Sequence, residues 1–247
     1  MPDSTHSSDG LARQEFKYYV NSGGVAILRQ SLKRVMKLDS HLTGKKKSYI
    51  VSSLYFDTPF SEDLNDKLSG ISARTKYRLR IYNQTIDVIK FETKTKINNV
   101  IEKRSDQLSV LSAKSLIAGR YGELRVPKNY SLKRSLAEMT SRGYRPVGIV
   151  EYDREAYTLP YGNIRITFDL NSRTYNTHTD LFDLRRVSIP LFLNNVQVVE
   201  VKFSIPLPTF IKEILSSVSA DRAAVSKYVL SQRYKANIFW SDMIYGR

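Results

Sequence analysis

The stretch Arg74-Thr75-Lys76-Tyr77-Arg78-Leu79-Arg80-Ile81-Tyr82 constrains the fold more than any other part of the chain. Side chains alternate faces along a β-strand, so Arg74, Lys76, Arg78 and Arg80 share one side and Thr75, Tyr77, Leu79 and Ile81 the other. The apolar side requires a core. The basic side is a ladder of like charges about 7 Å apart. At an effective dielectric of about 20, neighbours at that spacing repel by roughly 2 kcal/mol, against well under 1 in bulk water. Such a ladder is tolerable facing solvent, and costly in an enclosed site unless an anion fills it. One strand alone is equally a solvated outer face; several of the same kind point to a built site.

Others follow. Arg13 to Val20 alternates Arg13, Glu15, Lys17 and Tyr19 against Gln14, Phe16, Tyr18 and Val20. Val88 to Lys96 sets Lys90, Glu92, Lys94 and Lys96 opposite Ile89 and Phe91, and Asn98-Asn99 turns into Val100–Arg104. Ile149 to Tyr157 puts Val150, Tyr152 and Arg154 on one side and Glu151, Asp153 and Glu155 on the other, without saying which is inner. Ile164 to Asp169 opposes Arg165, Thr167 and Asp169 to Ile164, Ile166 and Phe168, and Gln197 to Phe203 opposes Val198, Glu200 and Lys202 to Val199, Val201 and Phe203. Tyr49 to Asp57 reads as a further strand and Arg185 to Ile189 as a short one.

Helices are expected after Asn21-Ser22 (Val25, Leu28, Leu32), after Ser61 as N-cap with Glu62 and Asp63 in the first turn, over 108–118, and over 131–142 stopped by Gly143. Two more follow, one introduced by Pro206 and Pro208 and one over about Asp221–Gln232. These amphipathic helices are available to cover the apolar strand faces. The charged faces would then line a lumen, with Glu15, Glu92, Asp169 and Glu200 offsetting part of its positive charge. Residues 1–10 read as a disordered lead-in, and 11–247 as one domain.

Composition narrows the partner. Lys and Arg number 39 against 24 Asp and Glu, a formal charge of +15, which calls for a polyanion. The basic residues alternate with carboxylates on strands and do not form the basic-aromatic platform of a single-strand nucleic-acid binder. Cysteine is absent, which removes disulfides, thiolate metal sites and Cys nucleophiles, and fits the cytoplasm. His6, His41 and His178 stand in no triad-like context. No apolar run approaches the ~20 residues of a membrane-spanning helix, so membrane association would come through a partner protein or surface charge.

Several short motifs stand in order from about residue 13 to 234: Glu15-Phe16-Lys17-Tyr18, Tyr55-Phe56-Asp57-Thr58-Pro59, Lys76-Tyr77-Arg78-Leu79-Arg80-Ile81-Tyr82, Glu92-Thr93-Lys94, Lys103-Arg104, Tyr152-Asp153-Arg154, Arg165-Ile166-Thr167-Phe168-Asp169, Glu200-Val201-Lys202 and Ser226-Lys227-Tyr228. With them the chain resembles the VTC-type polyphosphate polymerase domain of the CYTH/triphosphate tunnel metalloenzyme superfamily. The resemblance implies an α+β fold: an antiparallel β-barrel tunnel wrapped by helices, with a C-terminal helix near one tunnel end. It implies a metal-dependent transfer of the terminal phosphate of ATP onto inorganic polyphosphate. Arg78, Arg80, Lys94, Arg154 and Arg165 would be the catalytic cations; Lys17, Tyr152, Lys103, Lys202 and Lys227 would bind substrate; Glu200 would hold Mn or Mg. Lys103 shares strand parity with Ile101, which would put an isoleucine in the lumen unless a bulge intervenes. Triphosphatases of the superfamily often begin Glu-x-Glu-x-Lys, and Arg13 stands here in place of the first carboxylate. A hydrolase of tripolyphosphate or nucleoside triphosphates, and a non-catalytic polyphosphate-binding module, are the alternatives.

Overall fold

The computed structural model describes residues 14–39, 47–98, 100–124, 130–175, 179–223 and 225–233. The expected lead-in over 1–10, and Arg13, lie outside the described residues. The first part of the chain runs β1 (Gln14–Asn21), α1 (Ser22–Val35), β2 (Lys37–Leu38), β3 (Tyr49–Asp57), α2 (Glu62–Leu68), β4 (Arg74–Tyr82), β5 (Ile89–Ile97) and β6 (Val100–Gln107). It continues with α3 (Val110–Ile117), α4 (Tyr130–Ser141), β7 (Arg145–Leu159), β8 (Ile164–Thr174), β9 (Ile189–Pro190), β10 (Val196–Phe203), α5 (Thr209–Ser216), β11 (Asp221–Arg222) and α6 (Lys227–Arg233). Among the described residues no helix is long and apolar enough to cross a membrane.

Two compact units divide the chain, and β7 and β8 each contribute one end to either unit. The first comprises Met1–Ser48, Asp153–Leu170 and Phe192–Val225. Its strands lie in the order β11-β1-β10-β8-β7, with β2 paired to the end of β7. Registers are antiparallel: Lys17 lies opposite Glu200, Glu15 opposite Lys202, and Lys202 opposite Arg165. The intervening residues Val199, Val201, Ile166 and Phe168 turn to the other face and pack against Val25, Leu28 and Leu32 of α1 and Ile211 of α5. The side chain of Asn21 accepts a hydrogen bond from Gly24 N at 2.7 Å and caps α1. Gly24 is required by packing, because a Cβ there would lie 2.6 Å from Val20 Cγ1.

The second unit comprises Tyr49–Tyr152, Asn171–Leu191 and Ser226–Arg247. Its order is β7-β3-β4-β5-β6, and β9 pairs with the end of β8. Arg78 lies opposite Tyr55 on β3 and Glu92 on β5. Leu79, Ile81, Phe91 and Leu54 point the other way, into a core closed by Leu116 of α3 and Leu132 and Met139 of α4. Gly143, at φ +64°, stops α4 in the left-handed conformation glycine favours.

Three local expectations are corrected. Ser61 does not cap α2: it sits at φ 55° with no side-chain cap bond. Asp57 does so instead, its carboxylate accepting from Asp63 N at 3.0 Å and Leu64 N at 3.1 Å. The expected helix over Asp221–Gln232 begins only at Lys227, because Asp221 and Arg222 pair with Tyr19 and Tyr18 on the edge of β1. Ala223 N donates to Lys17 O at 3.0 Å and the Arg222 guanidinium lies 3.8 Å over the Phe16 ring, so the segment is held extended. Finally, Arg185–Ile189 is not a strand. Asp180 and Asp183 accept from Phe182 N and Arg185 N in local turns, and only Ile189–Pro190 pairs with β8.

Candidate functional site

Each unit presents a charged strand face, and the two differ in composition. In the second unit the face of β3, β4, β5 and β6 collects Ser53, Tyr55, Arg78, Arg80, Glu92 and Lys103. Glu92, buried, is the carboxylate at its centre. Arg78 Nε donates to it at 2.6 Å, Arg80 Nη1 lies 3.3 Å away and Lys103 Nζ 2.5 Å away. Burial favours the neutral acid, but the three cations outweigh it and hold Glu92 well below the usual carboxylate range. Burial likewise opposes the Arg78 charge, and Glu92 and Tyr55 more than restore it. Arg80 donates from Nε to Ser53 Oγ at 3.0 Å and from Nη2 to the Tyr152 hydroxyl at 3.5 Å. Lys227, at the start of α6, stands 4.7 Å over the Tyr152 ring.

Lys94 lies opposite both Lys76 and Lys103 in register and is exposed. The register of β5 and β6 is continuous through Lys103, and Ile101 sits on the same face opposite Lys96, half exposed. The isoleucine therefore keeps its parity at the strand end, and no bulge is needed.

In the first unit the corresponding face carries acid and base in alternation. Lys17 Nζ is 3.0 Å from Glu15 and 3.9 Å from Glu200, and also donates to Val225 O at 3.4 Å. Lys202 contacts Glu200 closely and lies 3.8 Å from Glu15. Burial disfavours a charged Glu200, yet Lys202, Lys17 and Arg154 together hold it well below the usual range. Arg154 is bidentate to Asp169 at 2.7 and 2.8 Å. Arg165 is 2.6 Å from Asp39. The sequence-predicted residues thus fall into two groups. Arg78, Arg80, Lys94, Lys103, Tyr152 and Lys227 belong to one unit; Lys17, Arg154, Arg165, Glu200 and Lys202 belong to the other.

Comparison with known proteins decides the family. The sequence profile of the VTC domain matches residues 12–234. The chain belongs to the VTC domain family. No curated protein matches it in sequence. Among solved structures, the VTC domain is similar to HpAC1 from Hippeastrum, a candidate adenylyl cyclase with a dominant triphosphatase activity. The TM-score is 0.53 at 12% identity, covering 90% of this chain and 95% of that one. It is also similar to a candidate adenylate cyclase from Bacillus halodurans, with a TM-score of 0.50 at 12% identity, covering 87% and 96%. Such likeness establishes the fold, an antiparallel α+β architecture of the triphosphate tunnel type.

Sequence reasoning missed several members of these clusters in the VTC domain. Ser53 and Tyr55 share a face of β3 with register positions opposite Arg80 and Arg78, which only strand pairing reveals. Asp39 lies far from Arg165 in sequence and carries no motif. Asp57, Asp63, Tyr144 and Tyr228 form a buried group: the Tyr144 hydroxyl donates to Asp63 at 2.9 Å, and the Tyr228 hydroxyl donates to Asp57. Burial, and then the Asp57 carboxylate, push Asp63 up to about 7. Glu151, fully buried on the face opposite Tyr152, accepts from Arg173 at 2.6 Å and Tyr175 at 2.6 Å, and from Ser52. With every charge there partnered, that network is structural.

Among the described residues no three His, Cys, Asp or Glu side chains gather as a metal cluster. A hard divalent ion held by one or two carboxylates, with substrate phosphates and water completing its shell, requires no such cluster. The ionised Glu200, with Glu15 on the same face, has the donor chemistry for that ion.

Proposed function

We propose that this VTC domain is a metal-dependent polyphosphate polymerase, transferring the terminal phosphate of ATP to the end of an inorganic polyphosphate chain. The observation that carries the reading is the face of β4–β6, where Arg78, Arg80 and Lys103 share the carboxylate Glu92. Further cations stand beside them in register. A face with surplus positive charge is suited to a chain of phosphates.

In the reaction, the bond between the terminal phosphorus of ATP and its bridging oxygen breaks, and the electron pair leaves on ADP. A new bond forms from the terminal oxygen of the acceptor chain. The acceptor is already anionic, so no protein nucleophile is required, in keeping with the absence of Cys. Arg78 and Arg80 bind non-bridging oxygens and hold donor and acceptor in line. Lys94, Lys103 and Lys227 neutralise the product chain, and Tyr152 orients Arg80 through its hydroxyl. In the other unit, Lys17, Lys202, Arg154 and Arg165 keep Glu200 ionised or position its neighbours. Glu200 would hold Mn or Mg, which when bound would supply Lewis-acid chemistry to a phosphate group at its own face.

A triphosphatase is the second reading, favoured by the activity of HpAC1. Incubating the purified protein with ATP and Mn²⁺ or Mg²⁺ and resolving products on a gel separates the two. The polymerase yields ADP and a growing ladder; release of orthophosphate alone replaces this reading with the hydrolase. Glu200→Gln should lower turnover by on the order of a hundredfold or more while the circular dichroism spectrum is unchanged.

A further inference from the structure

Lys76 lies on the basic face of β4, next to Arg78, but does not share its counter-charge. Arg78, Arg80 and Lys103 all reach Glu92, whereas Lys76 forms no ion pair among the described residues. Its ammonium instead stands 5.1 Å over the ring of Tyr228. That ring is fixed from two sides: it stacks on Tyr55 at 5.1 Å, and its hydroxyl donates to the buried Asp57. An aromatic face attracts a cation through its quadrupole but brings no formal charge. Directly opposite Lys76 on β5 is Lys94, and opposite Lys94 on β6 is Lys103. Like charges in directly paired positions of a sheet repel, and a bound anion beside Lys76 relieves that repulsion.

Burial pushes Lys76 down to about 8, against the raising influence of Tyr55 and Asp63. The charged form is therefore under-compensated in the free protein. Along the strand, Lys76 is the next cation position after Arg78, about 7 Å further from Arg80.

We propose that Lys76, seated on the Tyr228 ring and facing Lys94, is a chain-length-determining residue that binds a phosphate of polyphosphate beyond the triphosphate held by Arg78 and Arg80. The inference rests on the phosphate-binding reading above and adds a selectivity to it. A triphosphate satisfies the Arg78–Arg80 end of the face and leaves Lys76 bare. A longer chain continues along β4 and covers it.

The test is calorimetric titration with tripolyphosphate and with long-chain inorganic polyphosphate at fixed ionic strength, for wild type, Lys76→Met, Lys76→Arg and Arg80→Ala. Lys76→Met should bind the long chain on the order of tenfold more weakly, the scale of one charge-assisted contact. Its affinity for tripolyphosphate should be unchanged, and Lys76→Arg should restore long-chain binding. Arg80→Ala should weaken both ligands. Equal loss of both ligands in Lys76→Met, or loss of neither, overturns the proposal while leaving the phosphate-binding reading in place. Loss of long-chain binding that Lys76→Arg does not restore overturns it too, since shape and not charge is then at issue. Failure of wild type to bind tripolyphosphate overturns both readings together.

Discussion

The two charged faces of this VTC domain are built from the same strand alternation yet balanced differently. On the first unit's face each cation has a carboxylate of its own or shares two: Lys17 and Lys202 lie between Glu15 and Glu200, Arg154 grips Asp169, and Arg165 grips Asp39. On the second unit's face Arg78, Arg80 and Lys103 converge on Glu92, and Lys76 rests on an aromatic ring. A balanced face is preorganised without ligand, and can hold one carboxylate ionised for a metal. A face with surplus charge is strained without ligand and gains from an anion. On the proposed function, the contrast gives the first face the role of orientation and the second that of phosphate affinity.

The sharpest way to break that contrast is to remove one carboxylate from each face. Glu92→Gln strips three cations of their shared, buried partner and should destabilise the protein by on the order of 3 kcal/mol. Glu15→Gln, at a partly exposed position where Glu200 still serves both lysines, should cost less than about 1 kcal/mol. Denaturant titration of both variants reads the difference, and equal losses would erase the distinction between the faces. Added tripolyphosphate should recover much of the Glu92→Gln loss, since the anion takes over the role of the carboxylate.

Ligand stabilisation sharpens the comparison next. Tripolyphosphate at a hundred times its dissociation constant should raise the stability of wild type by about 2.7 kcal/mol through mass action, seen as a higher Tm. Orthophosphate at matched ionic strength makes fewer simultaneous contacts and should do much less. A matching Tm rise for both anions would mean nonspecific screening of the +15 charge.

The smallest effect concerns the buried Asp63. Its carboxyl is raised from 3.8 to about 7, so the folded state binds this proton more tightly than the unfolded one. That contribution to stability is complete below about pH 4 and is lost as pH rises through about 7. Asp63→Asn keeps an acceptor for Tyr144 and removes the ionisation. Its stability relative to wild type should therefore grow by about 2.5 kcal/mol from pH 5 to pH 8. Thermal melts across that range check it, and a gap that stays flat with pH would remove Asp63 as the titrating group.

Alternation alone makes the strand faces legible. It places Lys17, Arg78, Arg80, Glu92, Glu200 and Lys202 on charged faces, and Leu79, Ile81, Val199 and Val201 on apolar ones, because a strand has a period of two and these runs contain no break. All four apolar residues are buried. Helix termini are less legible. Ser61 has the chemistry of a cap, but Asp57, held at the end of β3, reaches the same amide groups first. The segment after Ala220 has helical composition, yet the open edge of β1 offers Asp221 and Arg222 hydrogen bonds that a local helix start would have to forgo.

The order of amino acids is enough to say which residues share a face, that positive charge is in excess, that thiol chemistry is absent, and which family motifs the chain carries. How that charge is apportioned is settled in three dimensions: Glu92 serves three cations, Asp39 partners Arg165, and Lys76 lies over Tyr228. The difference is one of range. Alternation is local and written in neighbouring residues. Counter-ions are chosen through strand register and helix docking between positions far apart in the chain, where no short pattern records them.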